Sequence, residues 1–151
     1  MILEKLNQNE GNFAKSLEML NQFLEVNLEA KDTLRVIMAY ENVAEIHDKL
    51  NEKDQAINTL KKALILAEKK QSNYDLASLN AELGRLYLTN SKHEAKVYLE
   101  KSYQISEKHS FADVQLNVAK LLVNYYKQVN DYQKALSFLE IANELSEQAV
   151  N

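Results

Sequence analysis

The sequence predicts an all-α protein built from stacked helix hairpins. A small residue followed four positions later by leucine recurs at intervals of 40, 39 and 40 residues. A near-constant period of this length is typical of repeat proteins, in which each unit covers the apolar face of its neighbour. The chain also has no proline and two glycines, whereas sheet-rich folds need both residue types at their turns. The copies of the pattern begin at Ser16, Ala56, Ala95 and Ala135.

The composition excludes several classes of function. The 151 residues carry a net charge of −4, from 22 acidic and 18 basic side chains, with no basic run, so no nucleic-acid partner is expected. There is no cysteine, and hence no disulfide or thiolate metal site. No stretch approaches the roughly 20 apolar residues of a membrane span. Charge within the first apolar stretch argues against a signal peptide. A cytoplasmic location is therefore expected, with a periplasmic or extracytoplasmic sensor fragment left open.

The predicted elements begin with a short N-terminal segment, residues 2–9. It is expected to end in the polar cluster around Gly11 and Asn12, because Gly and Asn tolerate the left-handed conformation that ends a helix. The same argument places later turns at Asn51 and Asn130.

Seven helices are predicted after this segment. Apolar residues such as Leu34, Ile37 and Met38 recur at helical spacing. Ser72 and Ser110 each precede an aspartate by three positions, and are predicted to cap the fourth and sixth helices. The predicted spans are 12–29, 33–50, 53–70, 73–90, 92–108, 111–129 and 131–149.

Three segments share a second arrangement of large, apolar, small and aromatic positions. They are Tyr40-x2-Val43-Ala44-x2-His47, Asn80-x2-Leu83-Gly84-x2-Tyr87 and Ala119-x2-Leu122-Val123-x2-Tyr126. With the Ala-x3-Leu pairs, they resemble the tetratricopeptide repeat, W-x2-L-G-x2-Y followed by A-x3-F. The Trp and the closing Pro of that pattern are missing, and His47 replaces Tyr. The period of about 40 is similar to the long-repeat subclass of kinesin light chains and bacterial peptide-pheromone receptors, against 34 in the standard repeat.

The resemblance implies a right-handed α-α superhelix of antiparallel hairpins, a solenoid that forms one domain over residues 1–151. Its divisions would be a partial repeat over 1–31 and full repeats over 32–71, 72–109 and 110–151. In this family the first helix of each repeat lines a concave groove, so the resemblance implies a non-catalytic scaffold that binds a protein or peptide segment and needs no cofactor.

The matching groove positions change from acidic in the second repeat to basic in the fourth. They are Met38, Glu41, Asn42, Glu45, Asp48, Lys49, Glu82, Arg85, Asn117, Lys120, Asn124 and Lys127. Asn42 and Asn124 carry amides that can both donate to and accept from a peptide backbone. A polar face turned to solvent explains the same residues equally well. A ligand-sensing or oligomerisation fragment of a larger bacterial-type regulator is the alternative function.

Other positions favour structural roles. No nucleophile, phosphate-loop or metalloprotease motif is present, so no catalytic residue and no metal ligand is predicted, and the chain is not expected to be an enzyme. His47 holds the Tyr position of the repeat, where packing or a local hydrogen bond is expected. Tyr132 holds a repeat-packing position, where burial in the core is expected. The last helix has no polar helix after it, so Leu136, Leu139 and Ile141 are expected to be uncovered and to allow self-association.

Overall fold

A computed structural model describes the backbone of residues 2–150 and the side chains of residues 11–150. The backbone described forms seven α-helices and no strand. In chain order they are α1 (Ile2–Glu29), α2 (Thr33–Lys49), α3 (Lys53–Lys70), α4 (Asn73–Tyr87), α5 (Lys92–Lys108), α6 (Ala112–Gln128) and α7 (Tyr132–Val150). The predicted all-α class is therefore confirmed.

Six helices begin and end within three residues of the predicted positions. The prediction for the N-terminal part was wrong, because α1 is one helix of 28 residues that continues through Gly11 and Asn12. A single glycine costs a helix only about 1 kcal/mol. The apolar periodicity on either side outweighs that cost.

Most of the turns use a left-handed residue one or two positions after the last residue of the helix. Lys31, Asn51, Gln71, Ser110 and Asn130 have φ between 55° and 62°. At four of these turns the next backbone N–H returns to a carbonyl five residues earlier, at 2.8–2.9 Å, which is the hydrogen bond of a Schellman motif. Ser110 thus ends α5, and its predicted role as the cap of α6 was wrong. The predicted cap at Ser72 is confirmed, since its hydroxyl accepts the Asp75 N–H at 3.4 Å.

The chain divides into two compact units, and each is described by itself. Unit 1, Met1–Lys70, contains α1, α2 and α3, and α2 packs against both other helices. One apolar cluster in its core contains Leu24, Val36, Ala39 and Val43. Tyr40 and Leu66 pack half-buried at its edge.

Unit 2, Gln71–Asn151, contains two helix hairpins, α4–α5 and α6–α7. The hairpins pack together through α5 and α6, and α4 also lies beside α6. The helices of the first hairpin approach each other closely at Gly84. A Cβ atom added there would lie 2.4 Å from Leu99 Cδ2. Ser102 Oγ donates to the Ala77 carbonyl at 2.7 Å across the same crossing. Small residues at these positions therefore let two helices approach closely, as the repeat pattern predicts.

Candidate protein-binding surfaces

The predicted groove residues of α2 form a polar stripe along that helix. Met38, Asn42, Glu45 and Lys49 are exposed, and Glu41 and Asp48 are half-buried. Asn42, Glu45 and Lys49 also line an open cavity of about 460 Å³ in unit 1, which we call the α1–α2 groove. Its other wall is formed by Ser16, Met19, Leu20 and Phe23 of α1.

The acidic character predicted for the second repeat is partly neutralised. Glu45 Oε1 lies 2.9 Å from Lys49 Nζ, one turn further along α2. On α4, Glu82 and Arg85 form a similar pair, with Oε2 3.1 Å from Nη2. Pairs one helical turn apart contribute only a few tenths of a kcal/mol to stability. They nevertheless reduce the field that an approaching ligand meets at α2 and α4.

The predicted groove residues of α6 differ, because this stripe carries only amide and ammonium groups. Asn117, Lys120, Asn124 and Lys127 are all exposed and follow helical spacing along one face. They extend over about 15 Å at a rise of about 1.5 Å per residue. We call this set the α6 stripe. Because α4 lies beside α6, the first helices of two consecutive repeats are neighbours in unit 2.

The apolar wall of the α1–α2 groove was not predicted from the sequence. Met19 is 70% exposed and Phe23 is 44% exposed. A signal for it was available, because Phe23 holds the repeat position occupied by Ala63, Ser102 and Ala142 in the other second helices, all of them buried. A large aromatic residue at a position reserved for small ones indicates that the crossing seen in the other repeats does not form at α1.

A second apolar stripe lies on α7. Tyr132 is 65%, Leu136 56% and Leu139 42% exposed, and we call these three residues the α7 stripe. The predicted exposure of Leu136 and Leu139 is confirmed, whereas Ile141 is half-buried. The packing role predicted for Tyr132 was wrong. At the position of Leu139, α3 and α5 carry Leu60 and Leu99, and both are buried.

The polar chemistry inside the units is structural. His47 Nδ1 lies 2.6 Å from Glu52 Oε2, the local hydrogen bond predicted for this histidine. Burial raises the pKa of Tyr126. The hydrogen bond that its hydroxyl donates to Glu100 at 2.9 Å raises this pKa further. Burial also raises the pKa of Tyr103. Within residues 11–150, no three His, Asp or Glu side chains are grouped to hold a metal ion. None of the helices described combines the length and apolarity needed to cross a membrane.

Repeated antiparallel hairpins with small residues at their crossings define a helical-repeat protein, a class that serves in general as a scaffold for protein interaction and is typically non-catalytic. The family model described as tetratricopeptide repeat matches residues 39–70, which cover most of α2 and all of α3. The chain therefore carries a tetratricopeptide repeat at that hairpin.

Comparison with solved structures gives the same fold. The crystal structure of BtubC (BKLC) from P. vanneervenii superimposes with a TM-score of 0.81 over 93% of this chain, at 22% sequence identity. This chain spans 59% of the length of that chain. No curated protein sequence matches. At this identity the likeness extends to the helical-repeat fold alone.

Proposed function

We propose that the chain is a non-catalytic scaffold that binds a segment of another protein along the exposed faces of its first helices. The observation that carries this proposal is the α6 stripe. Two lysines and two asparagines on one exposed helix face offer ammonium groups and amides without a carboxylate between them. Such a surface suits a peptide that carries acidic side chains, because the lysines attract carboxylates and the amides pair with the peptide backbone.

The spacing of the α6 stripe sets a pattern for the ligand. Lys120 and Lys127 are seven residues apart, about 10 Å along the helix axis. In an extended peptide, residues three positions apart are also separated by about 10 Å. The favoured ligand therefore carries two acidic residues with two residues between them, lying along α6.

The predicted groove residues of α2 supply the opposite preference in this proposal. Glu41, Glu45 and Asp48 favour basic side chains, although Lys49 offsets part of their charge. The two helices therefore have opposite preferences in this proposal, for basic side chains at α2 and for acidic side chains at α6. Recognition at α6 is the stronger of the two, since its charges are all of one sign.

The test is fluorescence anisotropy with labelled peptides of identical composition. One peptide carries its two acidic residues with two residues between them, and the other carries them side by side. The double substitution Lys120→Glu with Lys127→Glu should weaken binding of the first peptide by about tenfold or more. Binding should also weaken as salt concentration rises, because the lysines are exposed and screened.

The matched control is Lys62→Glu with Lys69→Glu. These lysines are also exposed and seven residues apart, but they lie on α3. The control should bind the spaced peptide as the unaltered chain does. Equal loss of affinity in both double variants would reflect net charge alone, and equal retention would place the site elsewhere. Either result contradicts the proposal.

An oligomerisation fragment of a larger regulator is the second candidate. Two exposed apolar stripes favour it, the first at Met19 and Phe23 and the second at Leu136 and Leu139. Sedimentation velocity tests this second candidate, which needs self-association, and the peptide-binding measurement tests the first candidate separately.

A further inference from the structure

The walls of the α1–α2 groove correspond to surfaces that pack against other helices in the later repeats. In the later repeats, the second helix presents an aromatic ring to its own first helix. Tyr98 of α5 stacks on Tyr87 of α4 at 5.5 Å, and Phe138 of α7 stacks on Tyr126 of α6 at 5.7 Å. Met19 holds the same repeat position on α1, where it is exposed. This wall of the groove therefore corresponds to a surface that packs against a first helix.

The opposite wall corresponds to a helix-packing surface as well. On α6, Leu121 and Tyr125 join the apolar cluster that includes Ala81 of α4. The equivalent positions on α2 are Asn42 and Ile46, and both line the groove. The first wall thus matches a surface that contacts a first helix, and the second matches a surface that packs in an apolar cluster with neighbouring helices. Both walls therefore correspond to helix-packing surfaces, which suits one helix lying against α1 and α2.

We propose that α7 from a second copy of this chain occupies the α1–α2 groove. The α7 stripe presents Tyr132, Leu136 and Leu139 with i, i+4, i+7 spacing, and α1 presents Met19, Phe23 and Val26 with the same spacing. Phe23 stands where the other second helices have Ala or Ser, so the incoming helix lies further from α1 than α4 lies from α5. A helix at that larger separation needs large side chains to fill the interface, and α7 supplies them.

Repeat geometry and charge favour an antiparallel pairing. The first and second helices of a hairpin are antiparallel, and the incoming helix takes the place of a first helix beside α1. In α1, Lys15 and Glu18 stand beside Met19, and Glu25 and Glu29 follow near the end of the helix. In α7, Lys134 lies near the start and the acidic residues lie in the second half. An antiparallel arrangement therefore places Lys134 beside the acidic end of α1 and Lys15 beside the acidic half of α7.

A contact between α1 of one copy and α7 of another covers more of the exposed apolar surface than a contact between two like helices does. Contact between two α1 helices would leave the α7 stripe uncovered, and contact between two α7 helices would leave the groove open. The α1–α7 contact covers both, and it is heterologous, since different surfaces of the two molecules meet. The contact leaves the α6 stripe uncovered, because none of Met19, Phe23 and Leu136 belongs to it. It covers Asn42, Glu45 and Lys49 of α2, so a second copy and a bound peptide compete at α2 alone.

Sedimentation velocity over a range of protein concentrations tests the contact. The unaltered chain should form dimers and larger species that increase with concentration. Phe23→Gln, in the groove, and Leu136→Gln, on α7, should each weaken self-association by about tenfold or more. The matched control is Val97→Gln on α5, a similarly exposed apolar residue outside both stripes, and it should associate as the unaltered chain does. Circular dichroism of each variant verifies that it is folded.

A mixture of the two variants gives the sharper result. The Phe23→Gln chain retains an intact α7 stripe, and the Leu136→Gln chain retains an intact groove. Each variant alone should sediment as a monomer, and an equimolar mixture should form a dimer that grows no further. A monomeric unaltered chain, or a mixture that stays monomeric, overturns the proposal. Dimers of Leu136→Gln alone would overturn it in favour of a contact between two α1 helices.

Discussion

The helices α1 and α5 hold the same place in the repeat but differ in what covers them. On α5, Leu99 is fully buried and Ser102 bonds to the first helix of its own hairpin. On α1, Leu20 is half-buried and Phe23 is exposed. The repeat pattern thus specifies a helix with two contact surfaces, and the structure shows that the surfaces of α1 are only partly used. A packing surface that its own chain leaves exposed is available for contact with another molecule.

The largest expected effect compares one repeat position in two helices. Leu99→Ala should reduce the free energy of unfolding by about 2–5 kcal/mol, because it leaves a cavity between two hairpins. Leu139→Ala should cost only about 1 kcal/mol, since much of that side chain is already exposed to water. Urea denaturation at low protein concentration measures both. Equal costs would mean that the face of α7 carrying Leu139 is covered in solution.

The repeat period made most helix positions and the small residues at their crossings predictable from the sequence. Positions about 40 residues apart have the same role when their neighbours also repeat, so the small crossing residues followed from the spacing. The helix boundaries followed from the spacing together with the turn residues between the helices. The start of α1 did not, because Gly11 and Asn12 carry a local turn signal that only the continuous helix contradicts. Local propensity is a weak guide where the surrounding periodicity is strong.

The binding surfaces were less predictable, since their character depends on contacts between side chains. The sequence places Glu45 and Lys49 on one face but does not show that they pair. It likewise places Phe23 at a small-residue position without showing what fills the space. The predicted groove residues of α6, Asn117, Lys120, Asn124 and Lys127, are all exposed, and none of them belongs to the ion pairs observed.

The two glycines provide a second comparison, of intermediate size. At Gly84 an added methyl group meets Leu99, whereas at Gly11 nothing lies within 4 Å of the added atom. Gly84→Ala should lower the free energy of unfolding by about 1–2 kcal/mol, because overpacking outweighs the gain in helix propensity. Gly11→Ala should raise the stability of α1 by about 0.5–1 kcal/mol, because α1 is helical there.

Thermal and urea denaturation of both alanine variants measure this difference. Opposite signs are the expected outcome. If Gly11→Ala also destabilised the chain, α1 would not continue as a helix through that residue, and the turn that the sequence predicts at Gly11 would be the correct description. If Gly84→Ala were neutral, the close crossing of α4 and α5 would relax at no cost.

The smallest expected effect concerns the start of the first helices. Leu34, Tyr74 and Asp113 hold the same repeat position on α2, α4 and α6. In unit 2 the Tyr74 hydroxyl donates to Asp113 Oδ2 at 2.5 Å, which lowers the pKa of that carboxyl. Because the folded pKa lies below the unfolded value of about 3.9, the hydrogen bond stabilises the fold above that pH. The contribution is lost as pH falls through the folded pKa.

Tyr74→Phe isolates this hydrogen bond, since it retains the ring that packs edge-on against Phe111 at 5.2 Å. The variant should be less stable than the unaltered chain at neutral pH by under about 1 kcal/mol, because both side chains are exposed. The difference should vanish in acid once Asp113 is protonated. Nuclear magnetic resonance titration of Asp113 gives the independent measurement, and its pKa should rise toward the ordinary value in the variant. An unchanged pKa would show that the hydroxyl does not hold the carboxylate in solution. The ring contact with Phe111 would then be the part of Tyr74 that joins α4 to the residues before α6.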